Sequence, residues 1–112
     1  LNHVVQFSPA VLDRIFSALA DGHRRQILDR LGDGPVSISE LATELDISLP
    51  GVLKHVHALE HARLLTTRKQ GRTRWCQLSE QPLDAVADWI DDRRRLCNRR
   101  LDRFERSVGG PP

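Results

Sequence analysis

The sequence predicts a mainly α-helical domain of five helices with one small β-hairpin. Two observations between Val36 and Leu78 fix that class. Two short helical patterns stand close together across a tight polar break, and a Gly-bearing loop between β-branched and apolar runs follows directly. Helix, tight turn, helix and hairpin in that order read as a winged helix-turn-helix. Such a unit places a helix N-terminus in a DNA major groove and needs no pocket or catalytic group.

The first helix reads from Ser8, a cap, and Pro9, a first helical residue, to about Ala20, with Leu12, Ile15, Phe16 and Leu19 as its apolar stripe. Asp21 caps a second helix that turns Ile27, Leu28 and Leu31 inward and stops at the Gly32 to Pro35 cluster. Ser37 and Glu40 spell an S-x-x-E capping box, and Val36 and Leu41 stand where a hydrophobic staple closes the same helix start. A third helix therefore begins near Ile38 and carries Ile38, Leu41, Ala42 and Leu45 on one face. Asp46 follows where the chain must turn, a conformation Asp tolerates, and Ile47 plugs the turn.

Ser48 caps the fourth helix, Pro50 sits in its first turn, and Val52, Val56 and Leu59 form a buried stripe at i, i+4 and i+7. Pro50, Gly51, Lys54 and His57 consequently point away from the core. Their face is short-chained at its start and cationic further on, which suits close approach to a duplex. The hairpin pairs Leu64 to Arg68 with Thr73 to Leu78 around a loop of Lys69, Gln70, Gly71 and Arg72. Arg63, Arg68, Lys69, Arg72 and Arg74 bring positive charge to it, with no acidic residue between Ala62 and Gln77, although the chain is formally only +2. A solvated loop with a chance excess of Arg is the bland alternative; next to a recognition helix, contact with phosphates or the minor groove is the favoured one. Lys54 and the wing cations are then expected to give sequence-independent affinity, and Ser48, Pro50, Gly51 and His55 to orient the helix and read bases.

The last helix, from about Pro82 to Val108, repeats Ala87, Ile90, Arg94, Cys97, Leu101, Phe104 and Val108 at alternating spacings of three and four. A helix of ~27 residues extends ~40 Å, longer than a chain of this size can cover with its own core. Part of the seam is therefore expected to pack on a second subunit, most simply in a two-fold dimer. The alternative is partly ordered final turns. Arg93 to Arg95, Arg99, Arg100, Arg103 and Arg106 are offset by Asp91, Asp92, Asp102 and Glu105, so that surface reads as solvated and laced with i,i+4 pairs.

Length bounds the rest. The 112 residues make one domain, residues 1–108, followed by a frayed tail at 109–112. With 39% hydrophobic and 29% charged residues, no apolar run near the ~20 needed to span a bilayer, and no signal-peptide pattern, the chain reads as cytoplasmic with no membrane partner. A phosphate loop, nucleophile elbow or His–carboxylate constellation is missing, which argues against an enzyme. The competing class is a winged helix used as a protein-interaction or RNA-binding module, since one fold serves both. An interaction module should show an acidic or apolar face where this chain has a basic wing and a capped, exposed helix start.

Four ordered segments resemble the ArsR family of bacterial winged-helix repressors. Ala18 to Leu28 (ALADGHRRQIL) is similar to the family's "LADPTRRxIL", Ser39 to Leu45 to its helix before the turn, Ser48 to His55 to its "SQPAVSKH" recognition helix, and Arg74 to Leu78 to its closing strand. The resemblance spans about Ala18 to Leu101. It implies a homodimer joined through the first and last helices, bringing Leu12, Ile15, Phe16 and Leu19 beside Ile90, Cys97, Leu101 and Phe104. It further implies an inverted-repeat operator in double-stranded DNA and repression of the protein's own or an adjacent transcription unit. Gly22 departs from the usual Pro, and Leu49 and Leu53 stand where polar residues are common; those two either meet thymine methyls or pack beside the core.

Metal-sensing members of the family resemble one another in Cys pairs before the turn or in Asp, His and Glu along the last helix. Here Ser39 to Leu45 has no Cys and the last helix no His. Of His3, His23, His55, His57 and His61, the last three fall on the recognition helix; the i,i+4 spacing of His57 and His61 suits a shared metal by geometry alone, but an ion there would obstruct the DNA face without oxygen or sulfur partners, so solvent-facing or phosphate-contacting histidines are the favoured reading. No metal or other cofactor is expected, and no signature identifies an effector. Cys76 reads as a core residue. Cys97 lies on the seam, where a pair across the dimer axis would make the protein redox-sensitive. Much of the distance between the two cysteines runs along a helix, which argues against joining them within one chain.

Overall fold

The computed structural model describes residues 8–108; the expected tail at 109–112 and His3 lie outside the described residues. In chain order the elements are α1 (Pro9–Leu19), α2 (Gly22–Leu31), β1 (Val36–Ser37), α3 (Ile38–Leu45), α4 (Leu49–His61), β2 (Leu65–Gln70), β3 (Thr73–Leu78) and α5 (Gln81–Val108).

Side chains start the first four helices. Ser8, Asp21, Ser37 and Ser48 accept from the backbone N–H groups of Val11, Arg24, Glu40 and Gly51, each satisfying one of the orphan donors of a first turn. The capping box at α3 differs from its expected form. The Glu40 carboxylate accepts from the Ser37 hydroxyl at 3.4 Å, and Ser37 also belongs to β1, a strand too short to read from sequence.

Two Schellman motifs set the geometry of the helix-turn-helix and of the entry to the wing. At the end of α3, Asp46 adopts the left-handed conformation (φ 54, ψ 47), its N–H donating to Thr43 O and the Ile47 N–H to Ala42 O. At the end of α4, Arg63 takes the same conformation (φ 63), its N–H donating to Glu60 O and the Leu64 N–H to Leu59 O. Leu59 and Leu64 are both fully buried, supplying the apolar contact that accompanies the motif.

The strands form one antiparallel sheet in the order β1-β3-β2, with Val36 opposite Cys76 and Leu65 opposite Leu78. Pairing runs out to Gln70 opposite Thr73, so Lys69 and Gln70, expected in the loop, belong to β2. The remaining loop is Gly71–Arg72. Gly71 at φ 67 and Arg72 at negative φ match the hairpin turn that has glycine in its first central place.

Ile15, Ile27, Val36, Leu41, Val52, Val56, Leu59, Leu64, Leu65 and Cys76 close the core, drawn from α1 through the sheet. Ile15 is 0% exposed, which removes it from the expected dimer surface: the α1 stripe divides, with Ile15 and Ala18 filling the core and Phe16 left outward at 37%. Pro82, Leu83, Ala85 and Val86 seat the start of α5. From Ala87 to Val108 every residue of α5 is exposed. Of the expected charge ladder, the described residues form one ion pair, Arg95 with Asp92 at i,i+3.

Candidate nucleic-acid interface

With about 100° per residue, the buried stripe of α4 forces Pro50, Lys54, His57 and His61 onto the opposite side, and all four are exposed. The row begins at the capped N-terminus, where free backbone N–H groups and the helix dipole favour an anion. Gly51 flanks it. A Cβ there would lie 3.2 Å from the Ser48 hydroxyl oxygen, so the cap is built against a residue without a side chain. Leu49, 47% exposed at the helix start, lies about 60° from Val52 on the flank of the buried stripe, whereas Leu53 packs against the core.

His55 stands apart from its expected role in base reading. It lies on the flank of α4 that meets α2, is half-buried, and its Nδ1 accepts from Arg24 Nε at 3.3 Å and lies 3.9 Å from Asp21 Oδ1. His23 completes the group, its ring centroid 5.5 Å from that of His55. Burial pushes the His55 imidazole below its ordinary pKa, opposed by the Asp21 charge, so the neutral ring is favoured at physiological pH. The Arg24 backbone N–H holds the Asp21 carboxyl below the usual carboxylate value. Asp21, His23 and His55 present ligand atoms all within 4.8 Å of one another.

The wing cations, continuous in sequence, divide between two faces of the sheet. Lys69 and Arg74 are opposite each other in the ladder, on the side shared with Leu65 and Cys76. Arg74 Nη1 donates to Thr67 Oγ1 at 3.2 Å, and Thr67 Oγ1 donates to Glu60 Oε2 at 2.9 Å, tying the wing to the last turn of α4. Arg68 lies opposite Trp75 on the other face, where Pro35, Thr66, Gln70 and Gln77 line an open groove with them. Arg72 stands in the turn. Among the described residues none of Lys54, Arg68, Lys69, Arg72 and Arg74 is in an ion pair. Sequence reading missed the link through Thr67 and Glu60, since only strand register brings them together.

A second surface combines the outward part of α1 with α5. Phe16 meets Trp89 edge to face at 5.7 Å, and the Arg93 guanidinium lies over the Trp89 ring at 4.8 Å. Ile90, Leu101, Phe104 and Val108 continue an apolar strip left exposed among the described residues, with Cys97 exposed among them. Trp89 and Leu96 widen the strip. Each lies one residue, about 100°, from a seam position, so the heptad pattern passed over both.

Comparison with known proteins agrees with this architecture. A family described as a helix-turn-helix domain matches residues 19–68. The chain is 43% identical over 79 residues to the HTH-type transcriptional regulator Rv2034 of Mycobacterium tuberculosis, covering 70% of this chain and 74% of that one. It superposes on the crystal structure of the ArsR family transcriptional regulator RHA00566 with TM-score 0.78 and 41% identity, over 84% of this chain and 97% of the other. The homodimeric winged helix-turn-helix DNA-binding domain Mb0332 from Mycobacterium bovis matches with TM-score 0.64 and 28% identity, over 74% of this chain and 80% of that domain. With its capped recognition helix, its basic wing and this degree of identity, the chain belongs to the ArsR family of transcriptional regulators.

Proposed function

We propose that this protein acts in the cytoplasm as a homodimeric repressor, placing two copies of α4 in successive major grooves of an inverted-repeat operator, roughly 34 Å apart. The observation that carries the reading is the capped, exposed start of α4 together with Lys54 on its outward face and the wing cations Arg68, Lys69, Arg72 and Arg74, none of them in an ion pair among the described residues. Lys54 and Arg72 meet phosphates, and Lys69 and Arg74 grip backbone on the α4 side of the wing. Ser48, Pro50, Gly51 and His57 approach the base edges. His55 acts by holding α4 against α2. Occupancy of a promoter by such a dimer blocks transcription without a catalytic step.

The homodimer supplies the second recognition helix, and the exposed strip of Phe16, Ile90, Leu101 and Phe104 supplies its joint. Fluorescence anisotropy of the reduced protein on its own upstream DNA and on an unrelated duplex, at several salt concentrations, tests the reading. Tighter binding to the upstream DNA, with two protomers per site and a steep loss as salt rises, is expected. Equal, salt-insensitive binding to both duplexes would overturn it.

A further inference from the structure

We infer that Asp21, His23 and His55 form a binding site for one divalent transition-metal ion of the zinc, cobalt or nickel class, tying the start of α2 to the recognition helix. Their ligand atoms lie within 4.8 Å of one another, and the His55 Nδ1 to Asp21 Oδ1 distance is 3.9 Å. Two ligands on one tetrahedral ion, each about 2.0–2.2 Å from it, stand about 3.3–3.6 Å apart, so the ligand atoms must draw together by about an ångström, a shift of the size side-chain rotation supplies. Two imidazole nitrogens and one carboxylate oxygen suit these metals and leave a fourth position for water, whereas calcium and magnesium take oxygen ligands.

The surroundings allow the ion in. His23 is exposed and opens the site to solvent, while Asp21 and His55 are half-buried and held in place. Asp21 caps α2 through Oδ1, which accepts from the Arg24 N–H at 3.1 Å and is the oxygen 3.9 Å from His55 Nδ1; its two lone pairs let one oxygen serve both the cap and a metal. Arg24 is the competitor. Its Nε donates to His55 Nδ1 at 3.3 Å and its Nη1 to the Ser17 carbonyl at 3.4 Å. A metal takes the His55 lone pair from Arg24, which keeps its Ser17 bond and turns Nε to water. That nearby positive charge weakens the site without blocking it.

This site lies off the DNA face, because His55 occupies the flank of α4 and the exposed pair His57 and His61 points the other way. The ion therefore acts on how α4 is set against α2, not by covering the surface that meets the duplex. Helical spacing in the sequence directs attention to His57 and His61, since the three inferred ligands come from two helices far apart in the chain.

Cobalt(II) titrated into the full chain, followed by visible absorption and calorimetry, tests the inference. One equivalent is expected to bind with the absorption of a four-coordinate site. His23→Ala and His55→Gln should each weaken binding by about tenfold or more. His57→Ala/His61→Ala should bind cobalt as the parent does, and Arg24→Gln, with the competing donor removed, should bind more tightly. Because His23 is exposed, His23→Ala leaves the core intact even if His55→Gln, checked by circular dichroism, loses helix. Absence of a cobalt spectrum in the parent protein under a large excess of metal would overturn the inference. So would a spectrum that survives His23→Ala and disappears in His57→Ala/His61→Ala, which would put the ion on the DNA face.

Discussion

Between α3 and β3 every large apolar side chain except Leu49 is at least half-buried, whereas in α5 every residue from Ala87 to Val108 is exposed, including Ile90, Leu101, Phe104 and Val108. The same chain thus contains a unit that satisfies its apolar surface internally and an arm that does not. The first holds its recognition helix by core packing, caps and two Schellman turns. The second has apolar surface that none of the described residues covers, and in the proposed dimer a two-fold copy presents the matching strip. DNA reading and assembly are therefore separable, and substitutions should divide them.

The largest effect on folding belongs to the first region. Leu59→Ala removes a fully buried side chain beside the turn into the wing and should lower unfolding stability by about 2–5 kcal/mol, while Leu101→Ala should leave dilute monomer stability nearly unchanged. Denaturant melts of both variants at low protein concentration check this. Equal losses would mean that α5 is covered within its own protomer.

A smaller effect concerns DNA binding, with circular dichroism checking that loss of the Arg74–Thr67 hydrogen bond leaves the fold intact. Arg72→Ala/Arg74→Ala should weaken affinity for cognate and unrelated DNA alike and reduce the salt slope by about 2, at about 0.9 per lost phosphate contact. Anisotropy over a salt series measures the slope. An unchanged slope with affinity lost only on the operator would make these arginines base readers.

The two cysteines report on the two regions separately. Burial pushes the Cys76 thiol up to about 11, so at pH 8 only about one in a thousand is thiolate even before access is considered. Cys76 should stay unalkylated in the native protein. Cys97, exposed on the α5 strip, should react, and more slowly as protein concentration rises into the dimer range. Mass spectrometry of timed alkylation distinguishes them; a Cys97 rate independent of concentration would place it away from the joint.

The smallest change is at Arg63, a side chain in the left-handed conformation at the end of α4. Arg63→Gly relieves that strain but loosens the unfolded chain, so a net gain below about 1 kcal/mol is expected in a thermal melt. A clear loss would show that the Arg63 side chain itself supports the turn.

Much of this architecture was legible before the structure, because caps and apolar periodicity are local signals. Ser8, Asp21, Ser37 and Ser48 marked the helix starts, and Asp46 marked the turn between α3 and α4. What escaped was non-local. Val36–Ser37 is a strand only because β3 lies beside it, and the left-handed turn at Arg63 lacks the glycine that usually signals one. The division of the wing cations between two faces follows from a register extending to Gln70. Ile15 and Phe16 are neighbours in one apolar stripe, yet tertiary packing buries the first and leaves the second outward. His55 was read from its place on a recognition helix, and its partners Asp21 and Arg24 come from α2.

Joining of two protomers through α5 decides whether one or two copies of α4 reach an operator. Sedimentation equilibrium of the parent protein and of Leu101→Glu/Phe104→Glu, each then titrated onto operator DNA, tests it. The parent should be a dimer at micromolar concentration. The variant should be a folded monomer by circular dichroism and should lose operator affinity by about a hundredfold or more, because each recognition helix then binds its half-site alone. A monomeric parent, or a variant that remains dimeric and binds the operator as tightly, would contradict it.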